Sequence, residues 1–191
     1  MLSYLEEIDR ALFLALNGIH NDYGDFIMYW FSEEITWVPF YAILLFGLYK
    51  SYGLKNLVPI IIAVAVCITL TDQLSVKAFK EVFERYRPCH NTEIGQLVHL
   101  VKNHCGGQYA FVSSHSANTF GLAAFLSVLF GHRKIGIGLM LWAGVVSYSR
   151  IYLGVHYPTD IIGGGILGLG IGVLIGFIVR NWIFKKAKSM A

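Results

Sequence analysis

Apolar residues fall in long blocks along this chain, with polar residues largely confined to the gaps between them. Residues 161–179 are apolar and uncharged throughout, long enough as a helix to cross the hydrocarbon core of a bilayer. Further blocks run roughly over residues 26–49, 57–79, 117–130 and 135–149. The shorter ones are expected to extend into the polar segments beside them. Residues 4–16 differ: acids occupy one side, and Leu5, Ile8, Leu12, Phe13 and Leu16 the other. That spacing predicts an amphipathic helix lying in the membrane interface rather than a crossing. The fold class expected is therefore all-α, a membrane-embedded bundle of about five transmembrane helices plus an N-terminal interfacial helix.

The gaps set the orientation. Lys50 and Lys55 flank one turn, Arg133 and Lys134 another, and Arg180, Lys185, Lys186 and Lys188 close the chain. The positive-inside rule places all of these on the cytoplasmic side. Residues 80–115 and 150–159 then share the opposite, outer side. Gly164, Gly168, Gly172 and Gly176 recur every four residues, a stripe that predicts close packing of the last helix on a neighbour. Gly163-Gly164-Gly165 resembles a phosphate-cradling loop only superficially, because no strand precedes it and no Lys-Ser/Thr follows.

Composition agrees with this layout. Of 191 residues, 55% are hydrophobic and only 14% charged, with a mean hydropathy of +0.57, outside the range of soluble domains. The length suits one domain. The net charge of +3 is small, and no basic-aromatic platform suggests nucleic acid. Acids stand where a signal peptide would carry its positive region, so no cleaved leader is expected.

The outer segments hold the chemistry. Lys80 stands seven residues before Arg87-Pro88. If the second span continues past Lys80, these two cations share one helical face, and Pro88 pushes Arg87 toward an extended conformation near the helix end. Ser113-Ser114-His115 precedes an apolar run. Serines there are ordinary helix caps, but a helix N-terminus is also a site for a phosphate oxygen. Ser149-Arg150 leads to His156 and Asp160, four apart. A carboxylate on one ring nitrogen fixes the tautomer and leaves the other free to attack, while Arg150 offers a bidentate partner for phosphate. Glu33, Glu34, Asp72 and Gln73 lie in or near spans and are read as structural. If the outer side is oxidising, Cys89 and Cys105 in the outer loop suggest a disulfide. His90, His99 and His104 raise zinc instead, although the spacing fits no common zinc pattern.

Lys80…Arg87-Pro88, Ser113-Ser114-His115 and Ser149-Arg150…His156…Asp160 resemble, in order, the three motifs of the type 2 phosphatidic acid phosphatase (PAP2) superfamily. The resemblance covers residues 80–160 in spacing and most of the chain in layout. One departure is visible: the family's middle motif usually reads Pro-Ser-Gly-His, and here Val112 and Ser114 stand for Pro and Gly. The resemblance implies a bacterial inner-membrane lipid phosphatase with its site facing outward. His156 would be the nucleophile, Asp160 its orienting partner and His115 the general acid and base. Lys80, Arg87, Arg150, Ser113 and Ser114 would bind phosphate, with no metal or other cofactor. Implied substrates are lipid phosphates or diphosphates: undecaprenyl diphosphate, phosphatidylglycerol phosphate, phosphatidic acid or lipid A. Two other readings remain at this point. A phosphotransferase would pass the phosphoryl group to a lipid hydroxyl, and a non-catalytic binder or transporter would need the cations but not the paired histidines.

Overall fold

The computed structural model describes residues 2–189. Among these the architecture is helical, with one isolated antiparallel bridge, Tyr86 to Tyr109. Helices α1 (Leu2–Asn17) and α2 (Asp22–Ser32) precede a long α3 (Val38–Leu74), which runs on through a π-helical turn (Ser75–Lys80) into the short α4 (Glu81–Phe83). After an irregular loop come α5 (Ser114–Phe130), α6 (Arg133–Tyr152) and α7 (Pro158–Ser189). Three helical runs are long and apolar enough to cross a membrane: Glu34–Phe83, Arg133–Tyr152 and Pro158–Lys186. Their outward faces carry large apolar side chains such as Ile43, Phe46, Ile62, Leu141, Ile166 and Phe177. A helix apolar on every side is the form that suits a lipid solvent.

The first of these runs is two helical arms. Gly53, at φ +71° and ψ 166°, breaks the helix between Lys50 and Lys55, a backbone conformation that glycine adopts without a Cβ clash. The arms meet the rest of the bundle at the basic end. Tyr52 donates to the Leu129 carbonyl, and Arg180 donates to the Val128 carbonyl at 3.3 Å. The turn around Gly53, the turn after Phe130 and the far half of α7 therefore lie at one end, while Lys80, Ser113 and Asp160 lie at the other.

Two boundaries differ from the sequence expectation. The block at 26–49 is not one helix: α2 stops at Ser32, and a 3-10 turn (Glu34–Trp37) intervenes before α3. Glu33 and Glu34 thus sit at a helix break, where polar groups interrupt the apolar run. Likewise, Lys80 and Arg87 share no helical face. The helix ends at Phe83, Glu84 is left-handed at φ +45°, and Arg87 is extended.

The main apolar core gathers side chains of α3, α5 and α6, and α5 packs most closely on α7. A Cβ on Gly164, Gly168 or Gly172 would fall 2.4, 2.2 and 2.2 Å from the carbonyl oxygens of Ser113, Ala117 and Gly121. The glycine stripe is thus the surface on which α5 rests, backbone against backbone. Helix α1 packs on the end that holds Lys80, Ser113 and Asp160, through Phe13, buried edge-on against Tyr157 with centroids 5.3 Å apart. Leu5, Ile8 and Leu12 stay exposed, the outward apolar face expected of an interfacial helix. Asp9 departs from expectation: it faces inward and is buried at 4% exposure.

Candidate active site

The helix starts do most of the positioning. Ser113 caps α5: its hydroxyl accepts from the Ser116 N–H at 3.4 Å. Its own N–H donates to the Asp160 carbonyl at 3.0 Å, so the start of α5 is tied directly to the start of α7. Asp160 in turn caps α7, its Oδ2 accepting from the Tyr157 N–H at 2.8 Å. The same oxygen faces His156 Nδ1 at 3.4 Å. That is long for a hydrogen bond, as catalytic contacts often are before substrate binds. With Nδ1 turned to the carboxylate, Nε2 is the nitrogen left for chemistry.

The first segment reaches the other two through its backbone. Arg87 N–H donates to the Gln108 carbonyl at 3.1 Å, and Ala110 N–H to the Arg85 carbonyl at 2.8 Å. Arg87 is buried, its Nη1 donating to the Cys105 carbonyl at 2.7 Å and its Nε to that of Tyr109 at 3.3 Å. Cys89 and Cys105 are joined by a disulfide with Cα atoms 6.0 Å apart, which anchors the loop that supplies those carbonyls. Gly106, at φ +79°, leaves room for the guanidinium: a Cβ there would lie 2.7 Å from Nη1. The sulfurs of this pair and a ring nitrogen of His90 lie within 4.8 Å of one another, but bonded sulfurs are not the thiolates that metals take. His99 is engaged elsewhere, at 2.9 Å from Asp25 and stacked on His20 at 3.6 Å.

Lys80 points at the start of α5. Its Nζ donates to Ser114 Oγ at 2.8 Å, and Ser114 Oγ shares a further hydrogen bond with Ser75 Oγ at 2.6 Å. The serine that replaces glycine in the middle motif therefore holds the lysine. Arg150 donates to Ser32 Oγ at the end of α2. Its Nε is buried with no hydrogen-bond partner among the described residues, a donor left for an anion. Lys80, Arg87 and Arg150 act electrostatically on both His115 and His156. All the chemistry-bearing residues singled out from the sequence thus converge on one end of the bundle, and Glu33 lies close enough to Arg150 to offset part of its charge.

Electrostatics fixes the state of the nucleophile candidate. His156 is 1% exposed. Burial, reinforced by Arg87, Arg150 and Lys80, holds its pKa well below the usual 6.5, against a weaker opposing hydrogen bond to the Ala110 carbonyl. The ring is therefore neutral, with a lone pair, at physiological pH.

Sequence reasoning missed two residues here. Arg85 donates to Asp160 Oδ1 at 2.9 Å and to Asp9 Oδ2 at 2.7 Å. Burial disfavours its charge, but the two carboxylates outweigh that and raise its pKa. Arg85 was visible as a cation two positions before Arg87. Asp9, 76 residues earlier, gave no sign beyond being an acid on an amphipathic helix.

A cavity of 590 Å³ opens beside the site. Ser114, His115, Asp72 and Glu34 line one end of it. Leu44, Leu48, Ile60, Val64, Leu126 and Trp142 line the rest, between the two arms of α3 and the faces of α5 and α6.

Comparison with known proteins agrees with the geometry. The chain matches the PAP2 superfamily over residues 57–187, and it belongs to that family. It is 40% identical over 190 residues to the lipid A 4'-phosphatase of Bacteroides thetaiotaomicron, covering 99% of this chain and 84% of that protein. It is 34% identical over 188 residues to the lipid A 4'-phosphatase of Porphyromonas gingivalis, covering 98% of this chain and 78% of the relative. The crystal structure of the PAP2-type phosphatidylglycerolphosphate phosphatase of Bacillus subtilis superposes with a TM-score of 0.65 at 22% identity, covering 95% of this chain and 87% of that one. At that identity the likeness establishes the shared fold. The family and its curated phosphatases make this chain a phosphoric ester hydrolase, a multi-pass membrane lipid phosphatase.

Proposed function

We propose that this lipid phosphatase removes a phosphate from lipid A through a phosphohistidine formed on His156. The observation that carries the mechanism is the buried, neutral imidazole with Nδ1 toward Asp160, set among Lys80, Arg87 and Arg150. His156 Nε2 attacks phosphorus while the bond to the sugar oxygen breaks. Burial and the neighbouring Arg150, Arg87 and Lys80 hold the His115 pKa far below the usual 6.5; as the phosphate anion binds and offsets those cations, His115 takes up a proton and gives it to that oxygen. His115 then takes a proton from water, the water oxygen attacks phosphorus, and the P–N bond breaks to release inorganic phosphate. The cations and the N–H groups at the start of α5 bind the equatorial oxygens. Positioning and charge neutralisation are what phosphoryl transfer needs most, so these fixed cations take the part that magnesium has elsewhere.

Two relatives named as lipid A 4'-phosphatases align along almost the whole chain, which favours lipid A over the other lipid phosphates. The cavity supports an amphiphile: its polar end lies at Ser114 and His115 and its apolar length is suited to an acyl chain. The bundle crosses the inner membrane about five times, with the basic turns in the cytoplasm and the site on the outer face. The Cys89–Cys105 disulfide supports that outward placement, since disulfides persist in oxidising compartments.

The test is a phosphate-release screen of purified protein over lipid A, phosphatidylglycerol phosphate, phosphatidic acid and undecaprenyl diphosphate, with chelator present. Lipid A should give the highest turnover, and His156→Ala should abolish it. Obligatory magnesium, or full turnover by His156→Ala, would overturn the mechanism. A preference for another lipid would overturn the substrate alone.

A further inference from the structure

Arg85 stands in the middle of a buried chain of charges that links α1 to the nucleophile. Its guanidinium forks between two carboxylates, with Nη2 on Asp9 Oδ2 at 2.7 Å and Nη1 on Asp160 Oδ1 at 2.9 Å. The side chains of Asp9 and Asp160 are 3% and 0% exposed and that of Arg85 is 20% exposed. Nη1 also reaches Thr159 Oγ1 at 2.7 Å, and the guanidinium lies over the Tyr157 ring at 4.0 Å. Asp9 is held in its turn: its Oδ1 accepts from the Thr159 N–H at 3.0 Å and its Oδ2 from the Thr159 hydroxyl. All four carboxylate oxygens of Asp9 and Asp160 thus have partners around one geometry, as buried charges need.

We infer that Arg85 and Asp9 are positioning residues for phosphoryl transfer: Asp9, carried on α1, holds Arg85, and Arg85 fixes the Asp160 carboxylate so that its other oxygen faces His156. The inference rests on His156 being the nucleophile. Its logic is a division of labour between the two oxygens of Asp160. Oδ1 is committed to Arg85, which leaves Oδ2 for the Tyr157 N–H and His156 Nδ1. Charge points the same way. Two carboxylates share one guanidinium, so the cluster carries one negative charge in excess. When His156 is phosphorylated its ring becomes cationic, and this preorganised excess stabilises the charge as it develops. Asp9 matters here because it draws Arg85 away from complete pairing with Asp160, keeping that carboxylate available to the imidazole. A purely structural bridge would need neither the shared guanidinium nor an orientation toward the ring.

The experiment compares Arg85→Gln, Arg85→Lys and Asp9→Asn with Arg10→Gln, which removes the neighbouring α1 ion pair to Glu93 and leaves the Asp9–Arg85–Asp160 bridge in place. Each is assayed in detergent on the lipid phosphate that the wild type turns over. Arg85→Gln should lower kcat by about 10²-fold with KM little changed, the scale of a small misplacement of a catalytic group. Arg85→Lys, keeping the charge without the fork, should fall between wild type and Arg85→Gln. Asp9→Asn should lower kcat more than Arg10→Gln does. The acid limb of the kcat profile should move to higher pH in Arg85→Gln, because a buried carboxylate stripped of its cation takes a proton more readily. In an Asp160→Asn background, Arg85→Gln should lower kcat no further. The inference is overturned if Arg85→Gln and Asp9→Asn behave as Arg10→Gln does, if only KM changes, or if the Arg85 and Asp160 effects multiply. Should Arg85→Gln not fold, Arg85→Lys and Asp9→Asn carry the same comparison. Turnover surviving in His156→Ala would count against the nucleophile itself, so the two failures are distinguishable.

Discussion

Gly168 meets Ala117 so closely that a methyl group on its Cα would fall 2.2 Å from the Ala117 carbonyl oxygen. This contact lies midway along the α5–α7 seam, which sets the relation between the start of α5, with Ser113 to His115, and the start of α7, with Asp160. Gly168→Val should therefore destabilise the protein by about 1–3 kcal/mol, the usual cost of overpacking a filled interior, and lower activity with it. Gly170, on the same helix with nothing within 4 Å of its Cβ position, should accept alanine without loss. Thermal denaturation in detergent separates the two.

The seat of Arg87 leads to a second expectation. Its guanidinium is fixed by the carbonyls of Cys105 and Tyr109, and the Cys89–Cys105 bridge spans 16 positions. Replacing both cysteines with serine should cost about 3 kcal/mol of stability and raise KM more than it lowers kcat, because the anion loses a fixed cation. Gly106→Ala, which crowds Arg87 Nη1 directly, should raise KM with the disulfide intact. Steady-state kinetics on both variants checks this.

Stability should depend on pH through His156. Its folded pKa lies well below 6.5, mainly through burial, whereas the unfolded chain protonates it near about 6.5. Below that pH the unfolded state binds the extra proton, so stability is full above about pH 6.5 and falls as the solution is acidified. The slope this residue contributes is at most about 1.4 kcal/mol per pH unit. His156→Asn should melt with a shallower pH dependence between about pH 7 and pH 5. An unchanged slope would contradict the buried neutral ring.

Ser114 offers a further test. Restoring the family's usual glycine removes the hydroxyl that accepts from Lys80 Nζ at 2.8 Å. A hydrogen bond to a charged group contributes about 1.5–3 kcal/mol net, so Ser114→Gly should lower kcat/KM by about 10- to 100-fold. The change should fall on KM, as the proposed role of Lys80 in binding phosphate without taking a proton requires.

Much of the fold was legible from residues acting locally. Apolar blocks between basic turns are fixed by the cost of burying unpaired charge and backbone in lipid, and the structure places those turns at one end. The four-residue glycine repeat announced a close helix contact, because only glycine lets two backbones approach so nearly. The break within residues 26–49 was less visible. Glu33 and Glu34 signalled polarity there, but hydropathy averaged over a window hides a single turn.

For the site, the sequence by itself determined which groups were present: the ordered spacing of Lys80, Arg87, His115, Arg150, His156 and Asp160, and the i, i+4 relation between the last two. Tertiary structure alone decided how they are held. Arg87 depends on carbonyls from a disulfide-closed loop, Lys80 on a serine across the helix gap, and Asp160 on a guanidinium whose other carboxylate comes from α1. The physical reason is that helix periodicity and hydropathy are local properties, read over a few residues. A buried ion must instead find its counter-charge wherever the packed chain brings one, and for Asp160 and Arg85 that search ends at Asp9, near the opposite end of the sequence.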